Sequence, residues 1–325
     1  MVAARMPVIE NPKSKIQNPS VLHIFHPETA RRGPAVAAMF LAGFLFAIMG
    51  LTTRMTHAPE IVGRVLPASQ VTFCRFAFGV LAMLPLQGRR GIQLLGMDRR
   101  GLLKRGIWGG CAVFFYFLSL QTTTLMHAQL LNYASVVFAP LFAYLLLHER
   151  LSTRAAMAIL IACGGICLIT LQGGRLSGLN VGDAYGLLSG ILAGAAITEI
   201  RRLRQSETAW SVFFYLSLVG LPIATVAALL MREPFVLPTA AGWWVLFTMA
   251  TSSVGAQILL TYGYKYVRAG EGGLVTMSQL VYSAVAGMIL FHESLTVWTL
   301  VGAALILGSA LWINMTREPR SQRSG

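Results

Sequence analysis

The side chains best placed to do chemistry in this chain are polar residues set inside long apolar runs. A polar group in hydrocarbon is costly, so each should face a cavity or another helix. Gln129, Asn132 and Tyr133 fall at i, i+3 and i+4, on one face of a helix, and Thr276, Gln279 and Tyr282 with Ser283 repeat the pattern. Amides, hydroxyls and phenols of this kind hold a polar or zwitterionic solute by hydrogen bonds, so the two stripes suit two walls of a pocket. They suit interhelical bonding equally as chemistry. Tyr116, Ser119, Gln257 and Tyr262 extend the candidate lining, with packing as their plainer account. Arg75, in VTFCRFAFG, is the basic residue well inside an apolar run, and a carboxylate, a carbonyl or an anionic substrate group is its expected partner.

Three titratable residues sit at the ends of apolar runs. His127 and Glu271 open two equivalent runs, positions suited to gating or proton exchange, with helix-end solvation as the plainer account. Glu199 closes another run directly before Arg201 and Arg202, where a wet cytoplasmic face is expected. Glu149 and Glu293, each preceded by a histidine, invite an acid/base reading, but the topology below puts them on opposite sides of a membrane. They read as hinge or capping residues. No GxxxxGK[ST], GxSxG or HExxH motif occurs, and Cys74, Cys111, Cys163 and Cys167 have no metal-ligand spacing. No catalytic residue, metal or cofactor is expected, and the chain reads as a non-enzyme.

The elements that must position these residues follow from composition. With 325 residues, 55% of them hydrophobic, 12% charged and a mean hydropathy of +0.65, the chain has more apolar surface than a soluble domain can hide. The net charge of +14 is spread in short clusters between apolar runs, which excludes a nucleic-acid-binding domain and fits membrane orientation. Taking about 20 apolar residues per crossing, ten spans are expected near 35–54, 67–87, 105–122, 125–147, 154–171, 183–200, 209–231, 242–262, 272–291 and 296–314. A cytoplasmic N-terminus puts 21 of the 26 Lys and Arg inside, leaving Arg54, Arg64, Arg175 and Arg232 outside and Arg75 within a span. Residues 1–34 and 315–325 are then cytoplasmic tails. Pro140 should kink the fourth span, and the paired glycines at 109–110 and 164–165, with Gly302 and Gly308, favour close helix approach.

The segment from Gln129 to Ile169 returns 144 residues later, with His148-Glu149-Arg150-Leu151 falling on His292-Glu293-Ser294-Leu295 and Gly164 on Gly308. Five spans per copy, in 35–171 and 183–314, force the second copy to be inverted relative to the first. The fold class is therefore an all-α membrane protein of ten transmembrane helices in two inverted five-helix repeats.

The FCR motif at Phe73 to Arg75, the run from Tyr116 through HERL at His148, and LFHESL from Leu290 resemble the drug/metabolite transporter superfamily with two EamA-type domains. The second copy departs from the pattern at Ala284 and Ser294, where the first has Pro140 and Arg150. The resemblance implies a secondary transporter in a bacterial inner membrane, moving an amino acid, nucleoside, vitamin or S-adenosylmethionine type of metabolite, or exporting drugs. A membrane enzyme acting on lipid or isoprenoid substrates is the reading from another class. Expected partners are a small-molecule substrate, the bilayer and protons as coupling ion, in a monomer or homodimer, without nucleic acid.

Overall fold

A computed structural model describes residues 27–88, 94–147, 153–171, 180–203, 206–266, 275–276, 278–293 and 295–315. These residues form helices and no strand. In chain order the helices are α1 (Pro27–Met55), the short α2 (Pro59–Val62), α3 (Ala68–Met83) with a 3-10 turn at Leu84–Leu86, α4 (Arg99–Thr122), α5 (Leu125–Tyr133) and α6 (Ser135–Leu147). They continue as α7 (Thr153–Leu171), α8 (Val181–Leu203), α9 (Ala209–Met231), α10 (Ala240–Tyr266), α11 (Ser278–Leu290) and α12 (Val297–Met315).

Six helical segments are long and apolar enough to cross a membrane: Gly33–Met55, Ala68–Leu86, Leu125–Leu146, Val181–Ile200, Ala209–Met231 and Ala240–Gly263. The apolar stretches Ala156–Leu168, Ser278–Leu290 and Val297–Ser309 are shorter. Only helices can cross hydrocarbon here, because each satisfies its own backbone groups. Large apolar side chains point outward on these helices, including Leu160, Leu229, Leu230, Trp244, Val281 and Val297, all more than 60% exposed. Such a surface is stable against lipid and not against water. Trp243, Trp244 and Phe247 cluster near the start of α10, as aromatic rings do at a membrane–water boundary.

Side chains cap the ends that the sequence must stop. Asp98 accepts from the Gly101 N–H at 2.9 Å to start α4, Thr124 from His127 at 3.2 Å to start α5, and Thr208 from Ser211 at 3.2 Å to start α9. Each occupies a first-turn donor that hydrocarbon would otherwise leave unpaired.

The fourth apolar stretch departs from expectation. It is two helices, and the break falls at Ala134, with Pro140 lying inside α6. The Ala134 carbonyl takes both the Val137 and Phe138 N–H groups, closing a tight turn between the helices. Glycine does allow close approach where α7 meets α12, since a Cβ on Gly165 would lie 2.7 Å from the Gly302 carbonyl, whereas Gly164 and Gly308 face open space.

Packing runs mainly between the two halves of the chain. α4 lies along α8 and α1 along α10; α6 also meets α8, and α1 meets α11. α3 packs on α9, α7 on α12 and α5 on α11. The halves therefore build the bundle's core against each other.

Candidate functional site at the seam between the halves

The two polar stripes meet. α5 carries Gln129 and Tyr133 four residues apart, hence on one face, and that face packs on α11. Gln129 is 2% exposed; its Nε2 donates to Ser283 Oγ at 2.9 Å, and its Oε1 accepts from Gln279 Nε2 at 2.5 Å. One turn on, the Tyr133 hydroxyl and Thr276 Oγ1 share a hydrogen bond of 2.8 Å. The seam is uncharged and offers donors and acceptors in pairs.

A third helix pair completes it. Among the described residues, the Tyr116 hydroxyl on α4 is buried without a hydrogen-bond partner, as is Ser278 Oγ on α11. Gly50 on α1 makes room for this arrangement: a Cβ there would lie 2.7 Å from Gln129 Nε2 and 3.3 Å from the Tyr116 hydroxyl. Unpaired buried hydroxyls are uncommon, and each favours a ligand or water that would satisfy it.

Other expected members lie elsewhere. Asn132 turns away, donating to Ser189 Oγ on α8 at 2.6 Å, and Ser189 in turn donates to the Ala112 carbonyl at 2.8 Å. The reason is helical geometry: at about 100° per residue, i+3 is rotated roughly 60° from Gln129, toward α8. Tyr282 is 36% exposed and stacks edge-on with Phe44, itself exposed, at a centroid distance of 5.5 Å on the outer face of the bundle. Gln257 is buried in α10, where its carbonyl accepts from Thr261 at 2.6 Å, and among the described residues no hydrogen bond ties its side chain to Gln129 or Gln279. Ser119 donates to the Gly182 carbonyl at 2.7 Å. Arg75 meets a hydroxyl in place of the expected carboxylate or carbonyl, donating from Nε to Ser253 Oγ at 2.6 Å between the rings of Phe76 and Phe117.

The ends of the seam are tied by charge. Glu293 accepts from the Leu125 N–H at 2.8 Å, so the hinge after α11 caps α5, a helix of the other half. Arg54 lies 3.6 Å from the same carboxylate and also donates to the Leu120 and Thr123 carbonyls at the end of α4. His127 is not solvated at its helix end but 6% exposed, its Nε2 3.1 Å from Thr299 Oγ1 and its Nδ1 3.5 Å from Asp183. Thr123 donates to that Asp183 at 2.8 Å. At the opposite end of α8, Glu199 is buried, not wet, and pairs with Arg202 at 2.9 Å, which also reaches Asp98 at 3.1 Å. Glu207 accepts from the Met97 and Asp98 N–H groups, both at 2.7 Å. Glu271 and Glu149 lie outside the described residues. Arg54, Asp183 and Asp98 were missed in the sequence; their signal is a charge within one turn of a helix end.

A multi-pass helical membrane protein with a buried polar seam between its halves is the class that fold and site define. The chain belongs to the EamA-like transporter family, whose model matches it twice, over residues 33–171 and 180–315. It is similar to the pseudopaline exporter CntI of Pseudomonas aeruginosa, 28% identical over 86% of this chain and 95% of that one. It is also similar to solute carrier family 35 member G1 of mouse, 22% identical over 90% of this chain and 82% of the relative. A solved crystal structure shares the fold, with a TM-score of 0.61 at 21% identity, covering 90% of this chain and all of the other.

Proposed function

We propose that this chain is a secondary carrier that moves a small polar organic metabolite across a bacterial inner membrane by alternating access, with Gln129, Tyr133, Thr276, Gln279 and Tyr116 contacting the solute. The observation that carries this reading is the hydrogen-bonded contact of Gln129 with Gln279 and Ser283. It joins the two halves through groups a solute can replace one for one, beside hydroxyls still unpaired. Ten spans in two inverted repeats fit the packing. If α1, α3, α4, α5–α6 and α7 correspond in order to α8, α9, α10, α11 and α12, the pair α4 with α8 exchanges for α10 with α1, and α6 with α8 for α11 with α1. The pairs α3 with α9, α5 with α11 and α7 with α12 map onto themselves.

Asn132 takes a positioning role, holding α5 to α8. Arg54 with Glu293, and His127 with Asp183, form the gate at the outer end; Glu199, Arg202 and Asp98 form the one at the inner end. Export is the favoured direction, on the printed function of the Pseudomonas relative. Amino acids, nucleosides, vitamins and S-adenosylmethionine are the solutes to test first. The test is thermal stabilisation of purified protein against that panel, followed by transport of any hit in proteoliposomes. Gln129→Leu should abolish both the stabilisation and the transport while the protein still inserts. Transport retained at more than half the wild-type rate would remove Gln129 from the solute site.

A further inference from the structure

A second set of buried polar side chains lies on α3, α4, α9 and α10. Arg75 and Arg105 are each 4% exposed, and no carboxylate among the described residues pairs with either. Among the described residues, Arg75 Nη1, Arg105 Nε and Arg105 Nη1 have no hydrogen-bond partner, and neither does Ser217 Oγ. Ser217 faces α3 close by: its Oγ would lie 2.5 Å from a Cβ on Gly79, one turn of the helix beyond Arg75. Four of the six unpaired buried side-chain atoms of the described residues are therefore here.

The geometry aims both guanidinium groups inward. Arg105 starts near the Arg99 end of α4, and its guanidinium reaches along the helix to lie over Gly109, where a Cβ would overlap it. A second contact of that Cβ position is Leu216 of α9, at 2.8 Å, so the guanidinium sits between α4 and α9. Arg75, midway along α3, is braced by Ser253 and by the rings of Phe76 and Phe117, leaving Nη1 free. The two sites meet one turn of α9: Leu216 touches the Cβ position of Gly109, under the Arg105 guanidinium, and the next residue, Ser217, touches that of Gly79, one turn from Arg75. Arginine stays protonated in proteins. Two buried cations of like sign, without a counter-charge, are a costly arrangement that an anion relieves.

We propose that Arg75, Arg105 and Ser217 form a binding site for an oxyanion, a carboxylate or a phosphate group, separate from the Gln129 seam. Guanidinium forks match the paired oxygens of such groups, and the Ser217 hydroxyl supplies a further donor. The anion has two possible sources, a small solute or the headgroup of an anionic lipid, and both present the same chemistry.

The test is the melting temperature of the full chain in neutral detergent. Sodium phosphate and sodium succinate are compared with sodium chloride at equal ionic strength, and phosphatidylglycerol with phosphatidylcholine in mixed micelles. Phosphate or succinate should raise the melting temperature by about 2 °C or more at ten times its dissociation constant. A shift with the small anions identifies a solute site, and one with phosphatidylglycerol alone a lipid-headgroup site. Arg105→Met should melt higher than wild type in chloride, because one unpaired charge is gone, and should lose the anion response. Gly109→Ala keeps both arginines but displaces the guanidinium, and Ser217→Ala removes one donor; both should at least halve the response. Gln129→Leu should keep it whole, so a failed transport assay and a failed anion assay are separable. No shift with any oxyanion, or an equal shift in all three variants of this cluster, would overturn the proposal.

Discussion

At the scale of single residues, the seam works through short, neutral hydrogen bonds between buried and half-buried side chains. Tyr133→Phe removes the hydroxyl that bonds Thr276, and the helices should lose about 0.5–1.5 kcal/mol of stability, with the solute held more weakly. Losing a single oxygen makes this a gentle change, so a melting curve resolves it from the larger loss on Gln129→Leu. The latter strands both Gln279 and Ser283 and should cost about 1–3 kcal/mol. Polar residue types inside apolar runs were enough to single out Gln129, Tyr133, Thr276 and Gln279. They were not enough to divide that set: Asn132 shares their chemistry yet faces α8, and Tyr282 shares it yet faces outward. A rotation of some 60° about one helix axis decides the matter, and that rotation depends on which neighbour lies where.

At the scale of elements, the hinge after α11 and the start of α5 behave as one unit. Glu293 stands at the end of one apolar helix and caps another that begins 168 residues earlier in the chain. Glu293→Gln keeps an oxygen for the Leu125 N–H but loses the charge that holds Arg54, so the outer end should loosen without unfolding. Faster labelling of a cysteine placed at Thr123, in a cysteine-free background, is the expected readout; an unchanged rate would mean that the ion pair plays no part in closure. His127→Asn should act in the same direction, since it breaks the bridge between Thr299 and Asp183. The duplicated His-Glu-x-Leu pattern pointed to two turns as hinges or caps, and Glu293 does cap a helix. What the pattern lacked was the partner, because a helix cap recruited from the other half leaves no local signature.

At the scale of the whole molecule, the halves are wrapped against each other and the apolar exterior leaves little choice of environment. The distribution of Lys and Arg predicts an orientation with Gly88 inside and Phe235 outside. Single cysteines at these two positions, with the native four replaced, should react with a membrane-impermeant maleimide in intact cells only at 235. Labelling at 88 instead would invert the orientation, and labelling of both would break the two-sided reading. Because the core lies between the halves, either half expressed alone should fail to hold a stable fold, while co-expression of 1–178 with 179–325 should restore it; transport by one half alone would contradict a site shared across the seam.

Composition and periodicity by themselves determined that the chain is helical and membrane-bound, and the internal repeat together with its motifs pointed to the family. These properties depend on sums over many residues, which tolerate ambiguity at any one position. The tertiary structure decided which polar faces meet, where the fourth stretch breaks, and that Arg75 meets Ser253 and no carboxylate among the described residues. Those outcomes rest on contacts between residues far apart in the chain, set by the relative rotation and depth of whole helices. In a uniformly apolar sequence, no local pattern encodes either.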